Sequence, residues 1–297
     1  MEVIGLTAAN SGGLNYNLGV LFKEESGRGI THPFFASILN AFKAEAEARG
    51  YDVTFLNDRI GAEEIAYNEH CRRRGVDGAC IVCVNYDNPR VGELVKSGLP
   101  CVSIDYRYEG AACVMSDNAD GLRMLVDYAV SMGHQRIAFI HGQDNSVVTR
   151  TRIEQFRETM AAHGLAVPEG YLVDGNYDDS EVTGPLVEQL LARKDRPTCI
   201  LLPDDVSYIC ALDAARRCEL RVPADVSFAG YDGIRVTQLM NPKLTTIRQD
   251  GETMGREAAD LLIRRIETPD QPGEDSVTVP VQLLKGGTVG WCNEFSF

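Results

Sequence analysis

Short apolar runs alternate with longer amphipathic stretches along the first hundred residues. Residues 33–49 show a helical pattern, with Pro33 in the first turn and Phe34, Ile38 and Phe42 on one face. The same two patterns recur, and they predict helices at 63–74 and 88–97 and strands at 18–22, 52–56, 78–84 and 100–104. This alternation indicates a parallel sheet with right-handed crossovers and helices on both faces.

A second series of the same kind follows Ser116. It predicts four helices and four strands in alternation, the helices at 118–132, 149–163, 180–192 and 206–217 and the strands at 136–140, 171–174, 199–202 and 226–229. The sequence therefore predicts an α/β protein made of two Rossmann-like halves with parallel sheets.

The run from Val226 to Asp250, VSFAGYDGIRVTQLMNPKLTTIRQD, contains an apolar strand, a polar turn and the start of a second strand. Asp232 lies in the turn, directly after the strand that includes Phe228. Open α/β sheets bind their ligands at the carboxyl ends of the strands. We therefore expect Asp232 to accept a hydrogen bond from a ligand.

Composition narrows the range of partners. The 297 residues are 44% apolar, which suits two lobes, and the net charge of −14 opposes the phosphate backbone of nucleic acids. No apolar run reaches the roughly 18 residues needed to cross a membrane, and the amino terminus lacks an export-signal pattern. Nine cysteines, an odd number scattered through apolar runs, favour reduced thiols in the cytoplasm. Cys80 and Cys83 are predicted to be a structural pair and not a metal or redox site.

Four segments of the chain, in the same order, resemble signature stretches of the LacI/GalR family of bacterial transcription regulators. They are SDNADGLRMLVDYAVSMGHQRIAFIHG from Ser116, SVVTRTRIEQF from Ser146, LLPDDVSYICALDAARR from Leu201 and the run from Val226. The resemblance implies a fold like that of type I periplasmic binding proteins, with three interlobe crossovers and a ligand cleft between the lobes. The expected parts are a linker remnant at 1–16, an N-terminal lobe of 17–117 plus 250–276, and a C-terminal lobe of 118–249 plus 277–297.

The resemblance also implies an effector site made of side chains from loops and helix starts. Asp105 ends a strand, and Arg152 lies early in a helix, where its guanidinium can grip vicinal hydroxyls or a carboxylate. Tyr177 follows a glycine and an asparagine in a loop, where an aromatic ring can stack on a sugar. Asp204 is assigned to the ligand and Asp205 partly to helix capping. The structural alternatives are a turn-capping aspartate, a solvated helix arginine and a surface-packed tyrosine.

Asp232 and Gln249 complete this set, because the family uses both matching positions near the effector. Three further candidates, Ser26, His32 and Phe34, lie in or next to the polar loop before the first helix. In the family, the segment before this helix contributes to the effector pocket.

Ser146 is one more candidate for the effector site. It matches a position at which purine-binding relatives carry arginine, and this difference weakens the case for a purine effector. Carboxylates, an arginine, an amide and an aromatic ring together are typical of sites for hydroxyl-rich ligands, since each hydroxyl both donates and accepts. We therefore expect a sugar or a sugar derivative as the effector.

The residues indicate a binding protein and not an enzyme. The chain lacks a nucleophile elbow, an HExxH pair and a P-loop, and no catalytic residue, cofactor or metal is expected. Two functions remain open: the effector-sensing core of a transcriptional repressor, and a free-standing periplasmic sugar-binding protein of transport or chemotaxis. The missing export signal and the nine cysteines favour the repressor core in the cytoplasm.

The first sixteen residues have a single charged side chain, Glu2, and cannot form a helix-turn-helix headpiece. Operator DNA would therefore be bound only through a headpiece that this chain does not contain. The chain is then expected to be either a shortened form or a natural core without a DNA-binding headpiece. The resemblance implies a homodimer. In such a dimer the effector would favour closed lobes and thereby change the affinity for the operator.

Overall fold

The computed structural model describes residues 13–23, 29–143, 146–177, 179–270 and 275–292. The chain divides into two compact units, which we call unit 1 and unit 2. Unit 1 comprises Met1–Met115 and Gly251–Thr278, and unit 2 comprises Ser116–Asp250 and Val279–Phe297. The chain thus passes three times from one unit to the other, which is the predicted number of crossovers.

Over its described residues, unit 1 contains a six-stranded sheet with the strand order β13-β7-β6-β5-β1-β2. The pairings of β1 with β2 and β5, and of β6 with β5 and β7, are parallel. The strands of unit 1 are β1 (Asn17–Phe22), β2 (Asp52–Leu56), the short antiparallel pair β3 (Arg59–Ile60) and β4 (Glu63–Glu64), β5 (Gly78–Val82), β6 (Cys101–Ile104), β7 (Ala112–Ser116) and β13 (Ser276–Val279).

Four α-helices accompany this sheet in the described part of unit 1. They are α1 (Pro33–Ala48), α2 (Tyr67–Arg74), α3 (Pro89–Lys96) and α9 (Gly251–Glu267). Helix α1 begins with Pro33, whose missing N–H costs nothing in the first turn, and it buries Phe34, Ile38 and Phe42 as the helical spacing predicts. Its neighbour along this face is α9.

One expectation for unit 1 is wrong. The helix predicted at 63–74 begins only at Tyr67, because residues 63 and 64 pair with β3 instead. The last passage of the chain into unit 2 occurs after Thr278, and β13, which spans this point, joins the edge of the unit 1 sheet. There, the Cys113 amide donates to the Asp275 carbonyl at 2.8 Å and the Asp117 amide to the Val279 carbonyl at 3.0 Å.

Unit 2 repeats the architecture with the strand order β14-β12-β11-β10-β8-β9 over its described residues. Only β14 runs antiparallel to its neighbour among the pairings described there. Its strands are β8 (Ile137–His141), β9 (Leu172–Asp174), β10 (Cys199–Leu201), β11 (Ser227–Asp232), β12 (Thr245–Arg248) and β14 (Gln282–Leu284), and its helices are α4 (Asn118–Ser131), α5 (Val147–Ala162), α6 (Ser180–Leu191), α7 (Asp205–Arg217) and the short α8 (Arg235–Gln238).

Both faces of the unit 2 sheet are buried. One core cluster joins Ile140 and Phe228 to side chains of α6 and α7, and the other joins Phe139 and Tyr231 to side chains of α4 and α5. Strands buried on both faces appear in a sequence as continuous apolar runs. Polar side chains that follow such a run therefore come out at the end of the strand, and this is where the candidate site lies.

Candidate functional site

Three polar side chains lie at the carboxyl edge of the unit 2 sheet. Asp204 follows β10, Asp232 ends β11 and Gln249 follows β12. These strands are parallel neighbours, so their carboxyl ends meet at one edge of the sheet. The structure thus brings together three of the residues predicted to bind the effector.

Arg152 reaches the same edge from the first turns of α5, with only 4% of its surface exposed. Its Nε donates to Asn118 Oδ1 at 2.9 Å, and its Nη1 donates to the Pro203 carbonyl at 3.2 Å. The guanidinium carbon lies 3.5 Å from the centre of the Tyr231 ring. A buried charge is costly unless its donors are satisfied, and this combination of acceptors and an aromatic face provides that compensation.

The Tyr231 ring needs space that a neighbouring helix provides. A Cβ atom at Gly121, in α4, would collide with the Tyr231 phenol. The acceptor of the Arg152 Nε bond, Asn118, is the first residue of the same helix. Its Nδ2 donates to the Ser116 carbonyl at 3.1 Å. The start of α4 therefore holds both the aromatic ring and one acceptor of the arginine in place.

Tyr177 lies on the other side of Arg152, with its ring centre 5.9 Å from the guanidinium carbon. Its hydroxyl is 2.8 Å from Thr149 Oγ1. Burial raises the pKa of Tyr177, and the positive charge of Arg152 opposes that shift. The ring packs directly over Gly142, where a Cβ atom would collide with it. The tyrosine is therefore a neutral, positioned ring beside the buried cation.

The helix-capping role belongs to Asp204 and not to Asp205. Asp204 is the N-cap of α7, and its Oδ1 accepts the Ser207 amide at 2.7 Å. The capping that the sequence assigns in part to Asp205 thus belongs to Asp204, because the residue before the first helical turn is the one whose side chain can reach the exposed amides. Asp204 remains at the strand end and is 1% exposed.

Asp205 is fully buried and connects α7 to the chain after β11 and to β12. Its Oδ2 accepts the Ile234 amide at 2.9 Å and the Thr237 hydroxyl at 2.8 Å, and its Oδ1 accepts the Thr246 hydroxyl. Burial, reinforced by the negative charge of Asp232, raises the pKa of Asp205 to about 8. This carboxyl group is therefore a structural junction under the site.

Asp232 and Gln249 form a pair. Gln249 Nε2 donates to Asp232 Oδ1 at 2.7 Å, and the Gln249 amide donates to the Asp232 carbonyl at 3.3 Å. Asp232 adopts a φ of 109°, which is uncommon for a residue with a side chain. Such strain tends to occur at functional sites, and here it turns the carboxylate at the end of β11. We use the term Arg152 face for Arg152, Tyr177, Asp204, Asp232 and Gln249.

The other described candidates are Asp105, His32 and Phe34 of unit 1 and Ser146 of unit 2. Asp105 follows β6 of unit 1 with a φ of 57°, and its amide donates to the Val114 carbonyl at 2.9 Å. In the same unit, His32 precedes α1 and its ring centre is 5.2 Å from that of Phe35, while Phe34 is buried in the α1 face. Ser146 of unit 2 caps α5 by accepting the Thr149 amide. Ser26 lies outside the described residues.

Sequence analysis did not identify Asn118 or Tyr231 as part of the site. Asn118 stands in the segment that resembles the family, directly after the aspartate that caps α4, so its position at a helix start was a usable signal. Tyr231 gave no such signal, because an aromatic residue in an apolar strand looks like any core residue.

No group of three or more potential metal ligands is found in the described part of the chain. None of the nine cysteines, all of which lie in the described residues, forms a disulfide bond. Cys80 is buried in β5, but Cys83 lies beyond the end of that strand with a φ of 51°, so the pair does not share one strand as the sequence suggests. Within the described residues, no helix is both long and apolar enough to span a membrane.

The comparisons with known proteins agree with this architecture. Residues 126–289, more than half of the chain, match the family model described as periplasmic binding protein-like domain. The chain is 29% identical to the ribose operon repressor of Escherichia coli (strain K12) over 263 residues, which cover 86% of this chain and 78% of that protein. It is 28% identical to the HTH-type transcriptional repressor PurR of Haemophilus influenzae (strain PittEE), over 80% of this chain and 72% of that protein.

Solved structures show the same relationship. A regulatory protein of the LacI family from Chloroflexus aggregans superposes with a TM-score of 0.81 at 27% identity, covering 93% of this chain and 99% of that chain. The transcriptional regulator CelR, in complex with cellobiose, gives a TM-score of 0.81 at 25% identity, covering 93% of this chain and 85% of that chain. The chain therefore belongs to the periplasmic binding protein-like family, and it is similar in sequence and structure to LacI-family transcriptional regulators.

Proposed function

We propose that the Arg152 face binds a small hydroxyl-rich effector, a sugar or a sugar derivative, and that this binding sets the operator affinity of a transcriptional repressor. The observation that carries the proposal is the buried Arg152, held by Asn118 and by the Pro203 carbonyl over the Tyr231 ring. A cation fixed in this way beside two carboxylates and an amide offers acceptors and donors to a polyol. Two relatives support a sugar, namely the ribose operon repressor and the CelR–cellobiose complex.

Effector and operator binding are linked through populations of conformations. An effector can shift an equilibrium between two conformations only as far as its affinities for them differ. We assign this difference in affinity to the contacts that the effector makes with the Arg152 face. The residues of the face bind and orient the effector, and we assign no catalytic step to them, since the relatives named above are regulators. A role in regulating transcription also favours a cytoplasmic location.

Thermal unfolding in the presence of candidate effectors tests the assignment. Ribose, cellobiose, other monosaccharides and disaccharides, and purine bases are added to the purified chain and the melting temperature is measured. At a ligand concentration of 100 times Kd, mass action stabilises the folded chain by about 2.7 kcal/mol. A sugar should raise the melting temperature, and Arg152→Ala should abolish the shift. A response to purines alone would refute the sugar assignment.

The matched control is Arg157→Ala. Arg157 lies on α5 as Arg152 does, but it is exposed. This variant should keep the full ligand-induced shift. If Arg152→Ala also keeps the full shift, the effector does not bind at the Arg152 face.

We further propose that the chain forms a homodimer, since a two-fold axis matches a palindromic operator. Sedimentation equilibrium at micromolar concentration should give about twice the mass of 32.6 kDa. A single species with the monomer mass would contradict the dimer and leave the effector assignment standing.

A further inference from the structure

The turn that follows β11 has an uncommon backbone conformation. Asp232 has a φ of 109° and Gly233 a φ of 69°, so two consecutive residues lie in the region of positive φ. A Cβ atom at Gly233 would collide with Arg248, so the turn lies close against β12. Residues with a side chain seldom adopt a positive φ, and the surrounding structure has to hold them there. Because the Asp232 carboxylate belongs to the Arg152 face, the contacts that hold this turn also orient that carboxylate.

The turn is attached on both of its sides. On one side, the Asp232 carbonyl accepts the Gln249 amide of the segment after β12 at 3.3 Å. On the other side, the Ile234 amide donates to Asp205 Oδ2 at 2.9 Å. The Thr237 hydroxyl supports this second attachment, since it lies 2.8 Å from Asp205 Oδ2 and 2.9 Å from the Ile234 carbonyl. Asp205 therefore connects the turn to α7.

The Asp205 carboxyl group is itself fixed by its surroundings. Asp205 is the first residue of α7, and the start of this helix is capped by Asp204. Its Oδ1 accepts the Thr246 hydroxyl of β12. The same oxygen lies directly over Gly230 of β11, where a Cβ atom would collide with it. The Ile234 amide is therefore bound by an acceptor that has no room to move away.

We infer that Asp205 is a positioning residue for the effector: by binding the Ile234 amide, it fixes the turn that orients the Asp232 carboxylate. This inference rests on the proposed function and adds to it a residue that acts through Asp232. Asp205 is 0% exposed, so it does not contact the effector itself. Burial, together with the negative charge of Asp232, raises the pKa of Asp205 to about 8, so at pH 7 the group is mostly protonated and contributes geometry more than charge.

Two substitutions at this position separate geometry from charge. In Asp205→Asn, the new amide oxygen can accept the Ile234 amide, and the new Nδ2 can donate to Thr246 Oγ1. The Thr246 hydroxyl then has the Ile247 carbonyl, 3.4 Å away, as its acceptor. Asp205→Ala, by contrast, leaves the buried Ile234 amide without this acceptor. The turn should therefore stay in place in Asp205→Asn and become loose in Asp205→Ala.

Isothermal titration calorimetry at pH 7 tests the inference. Ribose, glucose, galactose and cellobiose are titrated into the parent chain, and the sugar that binds most tightly is used for every variant. Asp205→Ala should raise the Kd by about 10-fold, which corresponds to the loss of one hydrogen bond between the site and the sugar. Asp205→Asn should stay within roughly 3-fold of the parent Kd. Chemical denaturation gives the folded fraction of each variant, and the Kd is corrected for it.

The matched control for lost stability is Leu190→Ala. Leu190 of α6 is 3% exposed and packs in the core cluster that includes side chains of α7. Its truncation destabilises unit 2 without removing a contact of the turn. The corrected Kd of Leu190→Ala should equal that of the parent chain. If Asp205→Ala does not fold, Asp205→Ser takes its place, because the serine hydroxyl is too short to reach the Ile234 amide.

A double-mutant cycle shows whether Asp205 acts through Asp232. Asp232→Ala alone should raise the Kd. Adding Asp205→Ala to Asp232→Ala should raise it by less than roughly 3-fold more, since no carboxylate is then left to orient.

Three results would overturn the inference and leave the proposed function standing. The first is a parent-like Kd in folded Asp205→Ala, and the second is an equal loss of affinity in Asp205→Asn and Asp205→Ala. The third is that Asp205→Ala weakens binding as strongly in the Asp232→Ala background as in the parent chain. If no sugar binds the parent chain, the proposed function fails and the inference falls with it.

Discussion

The stability of unit 2 should depend on pH through one buried histidine. His134 follows α4 and is 3% exposed. Its Nε2 lies 3.1 Å from the Gly290 carbonyl and its Nδ1 lies 2.9 Å from Thr198 Oγ1. A carbonyl only accepts, so Nε2 carries the proton in the neutral ring. The histidine thereby ties the C-terminal segment at residue 290 to the strand that begins at Cys199.

Burial lowers the pKa of His134 to about 4, from an ordinary value of roughly 6.5. As the pH falls below 6.5, the unfolded chain takes up a proton at this site that the folded chain does not bind until about pH 4. The free energy of unfolding therefore decreases between pH 6.5 and pH 4, by roughly 3 kcal/mol in total and at most about 1.4 kcal/mol per pH unit. Above pH 6.5, His134 does not make the free energy of unfolding depend on pH.

Urea unfolding followed by tryptophan fluorescence measures the effect. The chain has one tryptophan, Trp291, next to the carbonyl that His134 contacts. The parent chain and His134→Gln are compared between pH 8 and pH 5, so that the titration of carboxylates common to both cancels. The difference between their unfolding free energies should be constant above pH 7 and should shrink steadily below pH 6.5. A difference that stays constant to pH 5 would refute the assignment of the pH dependence to His134.

Two further predictions concern the support of the site. Gly142→Ala should displace the Tyr177 ring, because the added Cβ collides with it, and should weaken effector binding in calorimetry; Gly184→Ala, on α6 with more space around it, should leave binding unchanged. Asp205→Ala should lower the free energy of unfolding by about 2 kcal/mol or more, since the buried Ile234 amide loses its acceptor and the Thr237 and Thr246 hydroxyls keep only backbone carbonyls. A loss below about 1 kcal/mol in chemical denaturation would show that water replaces the carboxyl group.

The sequence predicts the central strands well because both faces of each sheet are buried. β5, for example, is buried at every position, so its apolar run is visible without any knowledge of the fold. β13 was missed for the opposite reason. Its sequence, SVTV, is short and partly polar, and it is a strand because it joins an edge formed more than 150 residues earlier in the chain. Pairing across that distance leaves no local pattern.

The candidate site, like the fold, was only partly predictable from the sequence. Asp232 stands at the end of an apolar strand, so its place at the sheet edge follows from the sequence pattern. Gln249 follows the partly polar strand TTIR, and only the resemblance to the family pointed to it. The partners of Arg152 could not be predicted in either way, because Asn118 and Tyr231 come from two other elements and meet the guanidinium only in the folded chain. A sequence can indicate that a cation lies at a helix start, but the acceptors that hold it depend on tertiary packing.

The adjacent aspartates Asp204 and Asp205 have different roles because one precedes helix α7 and the other is its first residue. Asp204 has an extended backbone, with φ of −154°, so its carboxylate turns back over the helix start and accepts the Ser207 amide. Asp205 already belongs to the helix, and its side chain reaches the segment after β11 and the Thr246 hydroxyl of β12. Because burial and the charge of Asp232 raise the pKa of Asp205, protonation of this inner carboxyl group relieves its repulsion with Asp232. Asp205 can therefore serve as a buried junction, while Asp204 and Asp232 lie at the strand ends, where the proposed function assigns them to the ligand.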